Sequence, residues 1–155
     1  MMTLYYSDIL SSHRACAVAK YLNAPVEFVY LDFAKGEHQA PAYLAINSNG
    51  KVPTLVKGDR ITWEADAVIC QLSDDMNADL WPHDARQIDI VRWFSWNAQH
   101  FSRAGGALYF ENIVKRRFNF ICLKNNRRSG TIEAQTRTLD TELRGPRDWT
   151  HSKNP

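Results

Sequence analysis

Two serines and a glutamate hold the positions of this chain where chemistry is most readily done. Ser11 and Ser12 follow a short β-rich run, Leu4-Tyr5-Tyr6, and stand where a turn gives way to a helical pattern. A hydroxyl there can cap the orphan N–H groups of the helix, or it can donate a hydrogen bond to an anion held against the positive end of the helix dipole. Glu64 sits where another helical pattern starts, with Ala65, Val68, Ile69 and Leu72 on the i, i+3, i+4, i+7 spacing of one face. A carboxylate is thereby set beside exposed backbone N–H groups. His38 and Lys51 are basic candidates between the two, although a loop histidine taken alone is most often just solvated. The three cysteines, Cys16, Cys70 and Cys122, show no C-x-x-C or metal-ligand spacing, so no metal site is expected. Cys16 and Cys70 fall inside helical patterns, where a thiol behaves as a small buried hydrophobe.

The elements that must position these residues alternate in type. The run from Leu4 to Tyr6 reads as a strand, and Ala15, Val18, Ala19 and Leu22 mark one face of a helix from about Ser12 to Leu22. Asn23-Ala24-Pro25 stops it, and Val26 to Phe33, rich in β-branched and aromatic residues, reads as a second strand. A short helix is expected near Pro41 to Ile46. Pro53 closes a polar turn before two apolar runs, Thr54 to Val56 and Ile61 to Trp63, joined by Lys57-Gly58-Asp59-Arg60 as a hairpin. A final helix should run to about Met76. This β-α-β-α-β-β-α order predicts a small mixed sheet with helices on both faces.

The polar stretch from Asn77 to Asp84 contains Pro82 and reads as a linker, which puts one domain at 1–78 and a second at 86–155. From Arg86 a helical stripe is marked by Val91, Phe94, Ala98 and Phe101, with Trp93 and Trp96 off it, so packing on more than one side is expected. Gly105-Gly106 should kink or break this helix before Ala107 to Lys115 resumes. Charge divides unevenly: residues 1–115 carry 10 Lys+Arg against 13 Asp+Glu, a net of −3, whereas 116–155 carry 9 against 4, a net of +5. The basic segment has neither a recognition motif nor an aromatic stacking pattern, so it is read as a solvated, loosely packed tail and nucleic acid is not an expected partner. No apolar run is long enough for a membrane span or a signal-peptide core, and isolated thiols suit a reducing compartment; a cytoplasmic protein is expected.

Val52-Pro53-Thr54-Leu55, the hairpin, and Glu64-Ala65-Asp66-Ala67-Val68-Ile69 together resemble the glutathione-binding half of glutathione S-transferases. The resemblance implies an α/β thioredoxin-like N-terminal domain followed by a partial all-α domain, covering residues 3 to 115 well and the remainder weakly. It implies that Pro53 is cis and that the Val52 backbone pairs with the cysteinyl part of glutathione like an added strand. Leu-Tyr-Tyr-Ser resembles bacterial members, and counting from Leu4 puts Ser11 on their catalytic position. The Ser-Ser pair resembles serine classes such as theta and zeta, in which loop length leaves Ser12 open. Gly36-Glu37-His38 resembles the phi class, which implies that His38 and Lys51, with Gln39 beside them, hold the glycine carboxylate.

The activity so implied is attack of a glutathione thiolate on a small electrophile, with glutathione as co-substrate and a homodimer as the assembly. A thiol of pKa about 8.5 is only a few per cent ionised at neutral pH, so the enzyme must stabilise thiolate. The active serine would donate a hydrogen bond and would not itself be a nucleophile. Two departures from the family pattern stand out. Asn47-Ser48 replaces Asn-Pro, which loosens a turn. Ala65 replaces the serine that receives the γ-glutamyl carboxylate, which should weaken glutathione affinity while leaving the backbone N–H at 65 as donor. A glutaredoxin-like dithiol enzyme is disfavoured because Ser11 stands where it needs a cysteine. The rival reading is a non-catalytic docking or regulatory module on the transferase fold, favoured by Ala65 and by the incomplete helical domain.

Overall fold

The computed structural model describes residues 1–114, which fall into two compact units, Met1–Ile90 and a second beginning at Val91. The basic segment from 116 onward, with Cys122, lies outside the described residues. The first unit is built on a four-stranded sheet of order β2-β1-β3-β4, comprising β1 (Met2–Tyr6), β2 (Val26–Tyr30), β3 (Thr54–Lys57) and β4 (Arg60–Trp63). β1 pairs in parallel with β2, Leu4 opposite Phe28, and antiparallel with β3, Leu4 opposite Leu55. β3 and β4 form a two-residue hairpin in which Gly58 takes φ +56°, a conformation glycine adopts without steric penalty.

Alternation along β1 separates two cores. Met2 and Leu4 point to the face covered by α1 (Leu10–Tyr21) and α3 (Ala65–Asp75), where they meet Ala15, Ala19, Leu55, Val68 and Leu72. Tyr5 packs in the other cluster, with Leu31, Tyr43 and Val52, beneath α2 (Pro41–Leu44). Leu4, Leu55, Val68 and Leu72 are wholly buried, each contributing roughly 1.5–3 kcal/mol relative to exposure. Alanines at 15 and 19 let α1 lie close to the sheet. Both long helices of this unit end alike: Asn23 and Asn77 adopt φ +50°, and Ala24 and Ala78 donate back to the carbonyls of Ala19 and Ser73.

Several elements differ from their sequence reading. α1 begins at Leu10, two residues early, so Ser11 and Ser12 lie within its first turn and neither is the cap; Ile9 occupies the cap position and makes no side-chain capping bond. β2 stops at Tyr30 because Asp32 turns the chain, its Oδ1 accepting from the Ala34 N–H while its own N–H donates to Glu37 Oε2. α4 (Arg86–Trp96) passes into a π-helical turn at Asn97–Phe101 before α5 (Ser102–Tyr109). Gly105-Gly106 therefore sits inside a helix, and the irregularity falls eight residues earlier than the glycines suggest. In the second unit the i+5 spacing of the π turn brings Phe101 onto Trp96, ring centroids 5.9 Å apart and nearly parallel, while Trp93 meets Trp96 edge-on at 5.6 Å. Val91, Ala98 and Phe101 of the expected stripe are exposed, and Trp93, Phe94 and Trp96 are half-buried. No helix among the described residues is long and apolar enough to cross a membrane.

Candidate functional site

A cavity of about 440 Å³ opens in the first unit, walled by Ile9, Ser11, Phe33, His38, Gln39, Asn47, Asn49, Gly50, Lys51, Val52, Pro53, Trp63 and Glu64. It collects the ends of three elements: the start of α1, the turn entering β3 and the start of α3.

The α1 end supplies the hydroxyl. The first N–H groups of any helix lack intrahelical acceptors, and Ile9 offers them no side-chain cap, so the turn carrying Ser11 presents unspent donors beside a serine. No acidic residue lies in that turn to oppose an anion. The two serines divide sharply. Ser11 lines the cavity, whereas Ser12 is fully buried and its Oγ accepts a 3.4 Å hydrogen bond from the Ser7 N–H.

The turn before β3 supplies backbone. The Val52–Pro53 peptide bond is cis. Val52 is buried and lies just ahead of β3, so its peptide groups take no part in the sheet ladder. Gly50, at φ +59°, leaves no room for a side chain: a Cβ would collide with the Gln39 side-chain amide and come 3.1 Å from the His38 carbonyl. The turn is also firmer than Asn47-Ser48 suggests. Asn47 Nδ2 donates to the Lys51 carbonyl at 3.0 Å and to Thr54 Oγ1 at 2.9 Å, and Asn47 Oδ1 accepts from the Asn49 N–H at 3.1 Å. The side chain of Asn47 thus ties the turn to Lys51, Asn49 and Thr54.

The α3 end supplies charge. Glu64 occupies the cap position at φ +72° and ψ 127°, a positive-φ backbone that is uncommon outside glycine and is held where surrounding structure over-determines it. It makes no side-chain capping bond, so carboxylate and helix N–H groups face the same neighbourhood independently. Asp66, one residue into the helix, is countered by Arg14 of α1, with Nη1 2.9 Å from Oδ1 as an ion pair lacking hydrogen-bond alignment. Ala65 is 3% exposed and is not part of the cavity wall.

His38 stacks on Phe33 at 4.1 Å between ring centroids. Its Nδ1 is buried without a hydrogen-bond partner, which leaves Nε2 as the nitrogen available to a ligand. Gln39 Nε2 donates to the Gly50 carbonyl at 3.4 Å, tying the His38 turn to the Lys51 turn. Of the residues singled out from sequence, Ser11, His38, Lys51, Val52, Pro53 and Glu64 are brought together, while Ser12 and Ala65 are not in the wall. Sequence reasoning missed Ile9, Phe33, Asn49, Gly50 and Trp63, and read Asn47 only as part of a loosened turn. Phe33 and Trp63 looked like ends of apolar strand runs, and nothing in their spacing marked them as wall residues. Among the described residues, no group of three or more His, Cys, Asp or Glu is arranged to hold a metal.

Residues 2–71 match the family model described as the N-terminal domain of glutathione S-transferase. Residues 2–71 thus carry a domain of the glutathione S-transferase N-terminal type. A probable glutathione S-transferase of Oryza sativa subsp. japonica, GSTF2, is 31% identical over 121 residues, covering 74% of this chain and 54% of the rice protein. The chain spans about half the length, or less, of the first few curated transferases it matches. A possible glutathione S-transferase from Rhodopseudomonas palustris shares the fold, with a TM-score of 0.81 at 22% identity over 93% of this chain and 72% of that one. The glutathione transferase URE2P6 from Phanerochaete chrysosporium, solved in complex with oxidized glutathione, is 25% identical with a TM-score of 0.77, covering 92% of this chain and 67% of its own. The thioredoxin-like transferase N-domain followed by a helical region is thereby shown.

Proposed function

We propose that the cavity binds glutathione and holds its sulfur as thiolate beside Ser11 for attack on a small electrophile, in the manner of serine-type bacterial transferases. The observation that carries this reading is the shared wall of Ser11, Val52, Glu64, His38 and Lys51. Glutathione carries one ammonium, two carboxylates and a central peptide with a thiol. Glu64 complements the ammonium, the N–H groups opening α3 complement the adjacent carboxylate, and His38 Nε2 with Lys51 complements the glycine carboxylate. The Val52 backbone is suited to the extended cysteinyl peptide.

At the sulfur, the Ser11 hydroxyl and the open start of α1 both favour negative charge. Each unit by which they lower the thiol pKa requires about 1.4 kcal/mol of differential stabilisation. The thiolate then displaces a leaving group or adds to an activated double bond; the new bond is sulfur to carbon, and the electron pair departs with the leaving group or is protonated from water. A homodimer, a cytoplasmic location and the division of the chain at 78–86 belong to the same reading.

Calorimetric titration of the unmodified chain with glutathione, alongside conjugation of an aryl halide, tests it. Measurable but weakened binding is expected, because Ala65 lacks the hydroxyl that would receive the γ-glutamyl carboxylate, and conjugation should be correspondingly slow at subsaturating glutathione. Loss of that charged hydrogen bond is worth about 1.5–3 kcal/mol, or roughly ten- to a hundredfold in affinity. Absence of binding even in Ala65→Ser would favour the docking or regulatory module instead.

A further inference from the structure

At the cavity wall, four residues close a hydrogen-bond circuit on a single carbonyl. Tyr43 Oη lies 2.6 Å from the Lys51 oxygen and 2.9 Å from Thr54 Oγ1. Asn47 Nδ2 lies 3.0 Å from the same oxygen and 2.9 Å from Thr54 Oγ1, and Thr54 Oγ1 itself stands 3.3 Å from it. Tyr43, Asn47 and Thr54 are all buried, so an unmet polar group among them would be costly.

The 2.6 Å approach of Tyr43 Oη to the Lys51 oxygen, against 3.3 Å for Thr54 Oγ1, favours one of the arrangements that use every donor. The two lone pairs of the Lys51 oxygen take the Tyr43 O–H and one Asn47 N–H; the second Asn47 N–H goes to Thr54 Oγ1, and the Thr54 O–H goes to Tyr43 Oη. Asn47 Oδ1 is used by the N–H and the side-chain amide of Asn49. Burial pushes the Tyr43 phenol above its ordinary range, which keeps it the donor the circuit needs.

The Lys51 carbonyl and the Val52 N–H belong to one planar peptide unit. Among the described residues only the Val52–Pro53 bond is cis, so the Lys51–Val52 unit is trans and its C=O and N–H point in opposite directions. Gripping the oxygen on the buried side therefore turns the Val52 N–H the other way, in a residue that lines the cavity. We infer that the Tyr43–Asn47–Thr54 circuit is a positioning device that holds the Val52 N–H as a fixed donor for the backbone of an extended peptide ligand. The inference rests on the glutathione reading of the cavity and assigns to it Tyr43 and Thr54, which lie outside the wall, together with Asn47, which lines it. A fixed donor spares the ordering cost that a mobile turn would incur on binding.

Graded substitution tests it. In Tyr43→Phe the freed Thr54 O–H can swing to the Lys51 oxygen, so glutathione affinity measured by calorimetry should fall only about threefold. Tyr43→Phe with Thr54→Val leaves Asn47 alone on the carbonyl, and affinity should fall at least tenfold. The signature a merely structural role would not give is local. In the unmodified chain, glutathione should move the Val52 amide proton downfield in nitrogen-proton correlation spectra. That shift should shrink in the single variant and vanish in the double, while the response of the Ala65 amide persists. Affinity within twofold of the unmodified chain in the folded double variant, or an unchanged Val52 response in Tyr43→Phe, would overturn the positioning role. Failure of the unmodified chain to bind glutathione would overturn the functional reading itself, and with it the ligand assigned to the circuit.

Discussion

The two helices whose first turns border the cavity begin differently. Neither start is capped by a side chain, so both leave backbone donors open. The α1 start carries Ser11 and no acid in its first turn; the α3 start carries Glu64 at the cap and Asp66 just inside, the latter offset by Arg14. A helix N-terminus favours a nearby anion by typically 0.3–1 kcal/mol, and carboxylates placed there reduce that preference for any other anion. On the proposed reading, the α1 end suits charge that develops, a thiol becoming a thiolate. The α3 end suits charge of both signs already present, an ammonium beside a carboxylate. The same local device would then serve two tasks because the side chains around it differ.

Substitution at the α1 end should break this contrast most strongly. Ser11→Ala is expected to lower turnover with glutathione at least tenfold, about 1.4 kcal/mol of transition-state stabilisation, and to raise the bound thiol pKa followed by thiolate absorbance. Ser12→Ala should leave that pKa unchanged and lower the melting temperature instead, since it strands the Ser7 N–H in a buried setting at a cost of about 1–3 kcal/mol. An exchange of these two outcomes would assign the cavity role to Ser12.

At the α3 end the expected effect is on binding alone. Ala65→Ser should tighten glutathione about tenfold by calorimetry, and Glu64→Gln should weaken it severalfold, each with the bound thiol pKa unaltered. A pKa that moved with either substitution would show that the two ends do not act separately.

The smallest effect distinguishes the helices through their cysteines. Burial raises both thiols; Lys20 partly offsets this for Cys16, whereas Asp66 and Asp74 add to it and push Cys70 up to about 11. At pH 8 iodoacetamide should therefore label Cys16 ahead of Cys70, read by peptide mass spectrometry. The folded pKa of Cys70 lies above its unfolded value of 9.0, so its contribution to stability is intact below pH 9 and is lost as pH rises toward 11. Cys70→Ala should flatten the decline in melting temperature over that window. A slope unchanged by the substitution would assign the decline to other groups.

Much of this was legible in the order of residues because it depends on local chemistry. The Asn23-Ala24-Pro25 stop, the Gly58 hairpin and the i, i+3, i+4, i+7 stripe from Ala65 each act over a few residues, and each appears at its expected place. The gathering of Ser11, His38, Lys51, Val52 and Glu64 could be expected from sequence only through family resemblance, since no spacing among them encodes proximity. Some local signals misled. A glycine pair costs a helix roughly 1 kcal/mol per residue, yet α5 runs through Gly105-Gly106 without a break. The π turn at Asn97–Phe101 left no mark in a pattern read at 3.6 residues per turn. Sequence alone determined that a hydroxyl and a carboxylate stand at two helix starts. Only the tertiary structure decided that Ser11 faces the cavity while Ser12 faces the core, because one residue of helix turns a side chain through about 100°. It alone decided, too, that Tyr43, Asn47 and Thr54 converge on one carbonyl, because hydrogen bonds among residues four to eleven positions apart exist only once the turn before β3 has folded back on α2.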